Sequence, residues 1–582
     1  MMHTINNFLE EYCKKIKNTG EELRFLQMPP LTEELFALYE NTGNRLKYEA
    51  VYFLRRKFLA VFGMLSILYK EQEDIKKLEE VLTDICLEEC WALPPHVNKQ
   101  GNKDWRITID LFASETAQAI TEISTLLSEE LSSNIKELIR KNVLDRVIDP
   151  FYESSIPYGG WEECHHNWCA VCAGSIGSAS IYLFSHEEAK LNKYMERICN
   201  SLTHYIEGFP EDGTCMEGIS YFTYGMTYYT TFAEQIYEYT KGKTDLFHSD
   251  KLRKIGEFQQ KCYFSGGHTI NFSDGSSNDR FKIGLTSYLA LRFPTVFIPN
   301  MDMAAEFDTD PCYRWAAIYR DYIWTQKYIE NYQDMVKEGV DDENGVENQY
   351  TGQVVLPDAG WSICQSRAGA GFAIKGGHNE EPHNHNDIGS FLYVNNKDIL
   401  LAELGAGEYT KDYFNENRYT ILCNNSLGHS VPIINGKGQQ AGRDFGCSKF
   451  ETDGRGKTLL EISGAYEKGS IDSLERATYF NLESGETIIE DTFKGLDKLN
   501  CVTENLITYY QPVIIDNLIF IYGEYSAIKI VVENLEDTIK ILTKYHYDHS
   551  GKEVMVYLIQ WEVSVKHGKA YSKFMINPES RL

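Results

Sequence analysis

The chain has 582 residues, of which 43% are hydrophobic and 24% are charged, a composition typical of a globular protein with two or more domains. Its net charge of −28 argues against nucleic acid or an anionic membrane as the main partner. It does not exclude a small anionic substrate, because a few local residues can govern one cleft. The 38 tyrosines suit carbohydrate clefts and aromatic-rich cores equally well.

Targeting signals are the next feature of the sequence. The N-terminal segment has no basic stretch followed by an apolar run, so we expect no signal peptide. No segment approaches the roughly 18 consecutive apolar residues of a membrane-spanning helix. The 14 cysteines are scattered without a framework pattern, which is typical of reduced thiols. These features predict a cytoplasmic protein without a membrane partner, and they are compatible with a monomer or a homo-oligomer.

The first half of the sequence predicts helices. Apolar residues recur at three- and four-residue spacing in the segments 34–69, 127–148, 189–206 and 221–239. The linkers between them are short and rich in Gly, Pro and Asn, and no strand-like run interrupts the pattern. We therefore predict a helical array or toroid of paired helices over residues 1–337.

The composition changes near residue 340. The acidic, glycine-containing segment 338–353 predicts a domain linker. Beyond it, β-branched and alternating runs separated by turns predict an antiparallel β-sandwich over residues 354–582. The predicted strands are 371–374, 391–394, 399–402, 487–489, 518–521, 528–532 and 554–559. The predicted order is an all-α domain followed by an all-β domain.

Dense polar chemistry lies directly before one of these strands. The segment 383–387 contains two imidazoles, a carboxylate and two side-chain amides, and the apolar strand begins at Phe391. If this segment is extended, His383 and His385 point to the same face. Two such histidines can share a metal ion, or one can bind metal while the other transfers protons. This concentration of polar groups predicts an enzyme.

Two sets of residues predict metal binding with different strength. His385, Glu403 and His429 supply two imidazoles and a carboxylate, which is a ligand set typical of zinc. Cys169 and Cys172 form a CxxC pair close to further histidines, but no second pair follows at zinc-finger spacing. We interpret the CxxC segment instead as a polar loop that leads into a glycine-containing helix.

A tyrosine stripe is predicted near the middle of the chain. A helix that begins near Ser220 would place Tyr221, Tyr224 and Tyr228 on one face. Such a stripe more often serves packing than chemistry. The acidic, glycine-rich loop 212–218 directly before it favours a cleft.

Other motifs do not indicate a function. The segment 454–458 is similar to a phosphate-binding loop, but Glu451 stands where the leading glycine should be. There is no GxSxG nucleophile motif. Asp274-Gly275-Ser276 is interpreted as an ordinary turn.

Taken together, these segments resemble the heparinase II/III family of polysaccharide lyases. The resemblance spans most of residues 150–440, and its most specific part is the pattern His-x-His-x-Asp-x-Gly-Ser-Phe that begins at His383. The other matching segments are Asn167-Trp168 with 171–174, the loop 212–218 with Tyr221 and Tyr224, and 428–436. The resemblance implies an incomplete α/α toroid followed by an antiparallel β-sandwich, and β-elimination on a uronate-containing glycan.

The resemblance also implies roles for single residues. Asn167 would neutralise the uronate carboxylate, which stabilises the enolate-like intermediate. Tyr221 would transfer protons at C5 and O4, with Tyr224 one helical turn later as the alternative. His383 would reach into the cleft, and Glu217 would contact the substrate.

One structural zinc ion is implied as the cofactor. His385, Glu403 and His429 match the zinc ligands of the family and would pin the loop that carries His383. Glu403 stands where an aspartate is usual, and its longer side chain would shift the metal slightly.

Trp168 is a departure from the family pattern. Several members have a histidine directly after the asparagine, and an indole cannot remove a proton. Either Tyr221 acts as both base and acid, or His165, His166 or His383 supplies the base. We expect the indole of Trp168 to form a wall against which a sugar stacks.

The leading prediction is a lyase that acts on anionic oligosaccharides of a glycosaminoglycan, such as heparan, chondroitin or hyaluronan, or of an alginate-like glycan. The first alternative is a glycoside hydrolase on a similar toroid. It needs two carboxylates across a cleft, for which Asp212, Glu217 and Asp387 are candidates. The second alternative is a non-catalytic carbohydrate-binding protein that retains the cleft.

Overall fold

The structure is a computed structural model, and it describes residues 2–100, 104–337, 351–496, 498–536 and 538–580. The described residues form two compact units. The first unit comprises 2–209, 222–256 and 280–337, and the second comprises 210–221, 257–279 and 351–580. Most of the predicted linker, residues 338–350, lies outside the described residues. The domain limits 1–337 and 354–582 stay predictions.

Helices occupy the first half of the chain, as the apolar periodicity predicted. Their bounds are α1 (Met2–Arg24), α2 (Glu33–Thr42), α3 (Leu46–Tyr69), α4 (Gln72–Cys86), α5 (Leu111–Leu126), α6 (Ser133–Val143), α7 (Asp149–Tyr152), α8 (Asn167–Phe184), α9 (Glu188–Glu207), α10 (Ile219–Tyr239), α11 (Asp250–Lys261), α12 (Ile283–Arg292) and α13 (Trp315–Lys337). The predicted segment 34–69 is divided between α2 and α3, because Gly43 caps α2 in the left-handed region at φ 75°. The predicted segment 127–148 becomes helical only at Ser133.

Helix α8 is buried along most of its length, and small residues allow its neighbours to approach closely. A Cβ atom at Gly174 would lie 2.8 Å from the carbonyl oxygen of Tyr228 in α10. A Cβ atom at Gly177 would lie 2.6 Å from the ring of Phe232. Glycine is therefore required where α8 crosses α10. The helix begins at Asn167.

Strands occupy the chain after residue 351. Their bounds are β1 (Gly352–Leu356), β2 (Trp361–Gln365), β3 (Ala370–Lys375), β4 (His378–Asn379), β5 (Phe391–Asn395), β6 (Asp398–Leu401), β7 (Ile433–Ile434), β8 (Gly442–Gly446), β9 (Lys449–Thr452), β10 (Lys457–Glu461), β11 (Ser473–Phe480), β12 (Thr487–Lys494), β13 (Val502–Thr508), β14 (Val513–Ile515), β15 (Leu518–Tyr522), β16 (Ser526–Val532), β17 (Lys540–Tyr547), β18 (Glu553–Val563) and β19 (Lys569–Ser580). Each predicted strand overlaps one of these.

The strands form antiparallel sheets. One sheet has the order β1-β2-β3-β5-β6, a second has the order β14-β15-β16-β19-β12-β11-β10-β9, a third has the order β17-β18-β13-β7, and β4 pairs with β8. Side chains from three sheets share one buried core, which includes Phe372, Phe391, Ile489, Trp561 and Phe574. This is the layered packing of a sandwich, so the predicted antiparallel β-sandwich is confirmed.

Segment 257–279 precedes the strands in sequence but belongs to the second unit. The side-chain amide of Gln365 donates to the carbonyl oxygen of Tyr263 at 2.7 Å. The side-chain amide of Asn271 donates to the carbonyl oxygen of Glu403 at 2.8 Å. These bonds hold the segment against the sheet that contains β2 and β6.

The cysteines are free thiols in the structure. Cys169 and Cys172 lie buried on α8, and the thiol of Cys169 donates to the carbonyl oxygen of Ser201 at 2.9 Å. Among the described residues, no compact group of three potential metal ligands includes either cysteine. Nor does the described part of the chain contain a helix of sufficient length and apolar character to cross a membrane.

A buried ion pair joins two helices of the first unit. Glu122 of α5 is fully buried and accepts two hydrogen bonds from the guanidinium of Arg320 in α13, each at 2.6 Å. The indole nitrogen of Trp315 donates to the same carboxylate at 2.8 Å. The charge of Arg320 therefore depends on Glu122 for compensation.

We predict that Glu122→Ala lowers the free energy of unfolding by about 3–5 kcal/mol, because it leaves a buried guanidinium without its partner. The control is Glu129→Ala at an exposed position, which should change stability by no more than about 0.5 kcal/mol. Urea unfolding followed by the helical circular-dichroism signal measures both. Equal stability of the two variants would contradict the prediction.

Candidate active site and metal centre

Asp274 is the acceptor shared by four side chains of the second unit. Its Oδ2 lies 2.7 Å from Nδ1 of His383 and accepts the hydroxyl hydrogen of Tyr409 at 2.8 Å. Its Oδ1 lies 2.9 Å from Nε2 of His385 and also accepts from the hydroxyl of Tyr413. The Asp274 side chain is fully buried. Its carboxylate therefore links residues that are far apart in the sequence.

The electrostatics of this cluster favour a carboxylate beside a charged imidazole. Burial raises the pKa of Asp274, but hydrogen bonds from His383 and His385 outweigh it and hold that pKa well below its usual range. Burial lowers the pKa of His383, whereas the hydrogen bond and charge of Asp274, aided by Glu217, raise it above its usual value overall. His383 and Asp274 therefore stabilise each other's charged forms.

Tyr221 contacts this cluster through its hydroxyl and its ring. Its hydroxyl oxygen lies 2.6 Å from that of Tyr409, and its ring stacks on His383 with centroids 4.2 Å apart. Because Tyr409 donates its hydrogen to Asp274, the oxygen of Tyr409 accepts from Tyr221. Burial and the charge of Asp274 raise the pKa of Tyr409 well above its usual value. The result is a hydrogen-bonded chain from Tyr221 through Tyr409 and Asp274 to His383.

The expectation of an extended segment before β5 is wrong at His383. This residue has φ 57°, in the left-handed region, and lies in a turn. His383 and His385 nevertheless meet, because both bind the carboxylate of Asp274. The guanidinium of Arg418 donates twice to the carbonyl oxygen of Asn384, at 2.9 and 3.1 Å, and this holds the turn in place.

Glu217 lies beside the same histidine. Its Oε2 is 3.6 Å from Nε2 of His383, and the residue is buried. The following residue, Gly218, has φ 98°, which a side-chain-bearing residue rarely adopts. The loop 212–218 thus brings the predicted substrate-binding carboxylate next to the predicted catalytic imidazole.

A compact group of potential metal ligands lies next to this cluster. Ligand atoms of His385, Asp387 and His429 all lie within 4.8 Å of one another, and all three residues are buried. Nε2 of His385 is used by Asp274, whereas its Nδ1 is buried and makes no hydrogen bond within the described residues. Two imidazoles and a carboxylate fit a divalent transition metal.

Glu403, the carboxylate ligand predicted from the sequence, is not a member of that compact group but contacts one of its histidines. Its Oε2 lies 2.6 Å from Nδ1 of His429, and Nε2 of His429 donates to the carbonyl oxygen of Cys423 at 2.8 Å. A carbonyl oxygen can only accept, so Nε2 carries a hydrogen. The short contact between Nδ1 and Glu403 therefore needs a proton or a metal ion between the two atoms.

The remaining predicted residues lie in the first unit. His166 is the N-cap residue of α8, Asn167 is its first residue and is buried, and Trp168 is partly exposed. His165 is exposed and forms a second group of potential metal ligands with His204 and Glu207 of α9. This group lies at the surface.

The side chain of Tyr224 contacts two charged residues of the first unit. Its hydroxyl donates to Glu115, and the guanidinium of Arg314 lies 4.1 Å from the centre of its ring. Burial raises the pKa of Glu115 to about 7. Burial, followed by the charge of Glu115, raises the pKa of Tyr224 well above its usual value. Tyr224 therefore stays protonated and directs its hydrogen to Glu115.

Asp274 and Tyr409 were not predicted from the sequence as site residues. Asp274 lies in a Gly- and Ser-containing turn, and Tyr409 follows a glycine-rich segment, so neither stands out by type or spacing. Only the fold brings them to His383 and Tyr221. An available signal was the unusual number of polar residues around 271–279.

No protein-family model and no curated protein matches this chain. Among solved structures it is similar to heparinase III, with a TM-score of 0.61 and 14% identity over 99% of this chain and 92% of that chain. Heparan sulfate lyase HepC from Pedobacter heparinus gives a TM-score of 0.57 and 12% identity over 99% and 88%. Streptomyces coelicolor A3 chondroitin AC lyase, in complex with chondroitin sulphate, gives a TM-score of 0.53 and 9% identity over 98% and 83%.

These similarities extend over nearly the whole chain, and at such low identities they show the fold. The chain has the architecture of heparinase III: an incomplete α/α toroid followed by an antiparallel β-sandwich. The fold class predicted from the resemblance to the heparinase II/III family is confirmed.

We predict that Asp274→Ala lowers the free energy of unfolding by about 3–5 kcal/mol, because the buried His385 and the partly buried His383 lose their shared acceptor. The matched control is Asp444→Ala, which removes an exposed carboxylate that lies 3.4 Å from Nζ of the exposed Lys468. Chemical unfolding of both variants gives the comparison. A loss at Asp274 no larger than that of the control would show that the carboxylate does not organise the site.

Proposed function

We propose that the chain is a polysaccharide lyase that cleaves uronate-containing glycans by β-elimination and leaves an unsaturated uronate at the new end. The observation that carries this proposal is the hydrogen-bonded chain Tyr221–Tyr409–Asp274–His383. A lyase must remove the C5 proton and protonate the leaving O4, and a positioned phenol beside a histidine suits that chemistry. The fold shared with heparan sulfate and chondroitin lyases supports the class.

Tyr221 is proposed as the residue that gives the O4 atom its proton as the C4–O4 bond breaks. The electron pair left at C5 then forms the double bond between C4 and C5. Stacking on His383 and the hydrogen bond to Tyr409 fix the position of the Tyr221 hydroxyl. The base that removes the C5 proton is either Tyr221 itself or a histidine.

Asn167 is proposed to neutralise the uronate carboxylate. It is the first residue of α8, where backbone N–H groups and the positive end of the helix dipole favour an anion. Stabilising that carboxylate as charge develops is the largest demand of the reaction. The partly exposed indole of Trp168 would position the sugar ring by stacking.

His166 and Tyr224 are the alternative proton-transfer residues, and the contacts of Tyr224 favour Tyr221 over it. The hydroxyl of Tyr224 donates to Glu115, whose side chain is largely buried. The hydroxyl of Tyr221 instead belongs to the cluster that contains His383.

A glycoside hydrolase is disfavoured by the surroundings of its candidate carboxylates. Asp387 is fully buried and lies 3.0 Å from Nζ of Lys375. Asp212 accepts the backbone N–H of Asp358 at 2.8 Å. Of these three candidates, only Glu217 lies beside the predicted catalytic residue His383, whereas hydrolysis needs two carboxylates.

The metal proposed for the second unit is zinc. His385 and His429 would bind it through their Nδ1 atoms, with Glu403 or Asp387 as the carboxylate ligand. When bound, zinc would supply positive charge among buried carboxylates and hold the loop that carries His383. We propose a structural role, since His383 takes its orientation from Asp274.

Tyr221→Phe should retain the fold and lower kcat by at least about 10²–10⁴-fold, because it deletes only a proton-transfer hydroxyl. The matched control is Tyr224→Phe, which should keep most of its activity. The assay is digestion of heparan, chondroitin, hyaluronan and alginate oligosaccharides, with ultraviolet absorbance of the unsaturated uronate as the readout.

The opposite pattern, with Tyr224→Phe inactive and Tyr221→Phe near normal, would assign the proton-transfer role to Tyr224. New reducing ends without ultraviolet absorbance would indicate a hydrolase. Binding without any turnover would indicate a carbohydrate-binding protein.

The zinc proposal predicts about one equivalent of zinc by elemental analysis of protein purified without added metal, from the single buried ligand set. His429→Ala should lose the metal and lower the melting temperature. Glu403→Ala and Asp387→Ala are compared as a pair, and the variant that loses zinc identifies the carboxylate ligand. The control variant Asp444→Ala should retain zinc. A metal-free and fully stable wild-type protein refutes the proposal.

A further inference from the structure

Three potential metal ligands lie together at the surface of the first unit. They are His165, in the segment before α8, and His204 and Glu207, at the C-terminal end of α9. The ligand atoms of the three side chains all lie within 4.8 Å of one another. The rings of His165 and His204 are nearly parallel, with centroids 5.9 Å apart. Two imidazoles and a carboxylate are thus available to one ion.

Helix α9 presents two of these ligands on one face. His204 and Glu207 are three residues apart, a spacing that brings side chains together on a helix. Oε2 of Glu207 lies 3.4 Å from Nδ1 of His204. Two ligand atoms of one tetrahedral zinc ion are about 3.3 Å apart, because each lies about 2.0–2.2 Å from the metal. The pair therefore already has the spacing that a shared ion requires, and the negative end of the helix dipole favours a cation there.

Buried contacts hold the third ligand against the same helix. The buried carboxylate of Glu162 accepts two hydrogen bonds from the guanidinium of Arg197 in α9, at 2.6 and 2.8 Å. The carbonyl oxygen of Glu162 accepts from the hydroxyl of Ser201, also in α9, at 2.6 Å. A Cβ atom at Gly208 would overlap the carbonyl oxygen of His165, so glycine is required for this close approach. The backbone at His165 is therefore set against α9 before any metal binds.

A surface ion pair accounts for this group less well than a metal ion does. An exposed pair of His204 and Glu207 adds little to stability, and it leaves the stacked ring of His165 without a role. Two charged imidazoles would repel each other, whereas a metal ion binds both in their neutral form. Imidazole ligands favour zinc and related transition metals over calcium and magnesium, which take oxygen ligands.

We propose that His165, His204 and Glu207 bind one zinc ion, with water in the remaining position, and that the ion fastens the segment before α8 to the end of α9. His165 is two residues before Asn167, with which α8 begins, so the bound ion restrains the backbone that leads into this helix. The site is additional to the buried ligand group of the second unit. The proposal does not depend on the lyase function.

The test counts bound zinc by equilibrium dialysis and elemental analysis, with protein purified without a polyhistidine tag. His165→Ala, His204→Ala and Glu207→Ala each remove one ligand. The controls are His248→Ala and Glu196→Ala, which remove an exposed imidazole and an exposed carboxylate of the same unit. None of the five side chains is fully buried, so the variants should retain the fold, which circular dichroism checks.

The wild-type protein should bind about one equivalent of zinc more than each ligand variant, whatever the occupancy of the buried group, because the single exposed ligand set holds one ion. Both controls should match the wild type. Calorimetric titration should show affinity for this ion more than about 100-fold weaker in the ligand variants, since even the hydrogen-bonding partners of metal ligands contribute about 10–100-fold. Added zinc should also slow hydrogen exchange at the backbone amides of residues 163–166 in the wild type but not in His204→Ala.

Three outcomes overturn the proposal. Equal zinc content in the wild type and the three ligand variants would place any bound ion elsewhere. A loss in Glu196→Ala or His248→Ala as large as that in the ligand variants would show unspecific binding to surface side chains. Zinc uptake at these ligands without slower exchange at residues 163–166 would refute the fastening of the segment before α8.

Discussion

The buried carboxylate of Asp274 is the constraint on which the polar site of the second unit depends. A buried charge without donors is costly, so each of its four partners must direct a hydrogen toward it. Those partners come from the turn before β5 and from the segment after β6. One carboxylate therefore fixes two loops, and the position of Tyr409 that results gives Tyr221 a defined hydrogen-bonding partner.

The same balance of buried charge governs the candidate metal centre. Lys375 is fully buried and lies 3.0 Å from Asp387 and 3.4 Å from Glu381. Burial lowers the pKa of Lys375, but the charges of these two carboxylates outweigh it and raise the pKa overall. With Glu403 also present, three carboxylates surround a single lysine. The excess negative charge is removed by a protonated carboxyl group, a protonated histidine or a metal ion, and burial raises the pKa of the Glu381 carboxyl.

Local sequence patterns predicted the fold, because helices and strands follow from the spacing of apolar residues. This spacing predicted strand β5, which follows His383, and the start of α10 near Ser220. The site was predictable only where a motif was dense, as at His383 and His385. The role of Asp274 depends on partners more than a hundred positions away, and no periodicity encodes such contacts. The left-handed turn at His383 was not predicted for the same reason, because its tertiary contacts outweigh the local preference for an extended backbone.

The crystal structure of Tyr221→Phe with a bound uronate oligosaccharide tests the central claim most directly. The account predicts that the O4 atom of the bond to be cleaved lies about 3–3.5 Å from the position of the missing hydroxyl oxygen, the separation of a reactive complex. It also predicts that the sugar contacts the imidazole of His383. An oligosaccharide bound elsewhere, without contact to residue 221 or His383, would contradict the account.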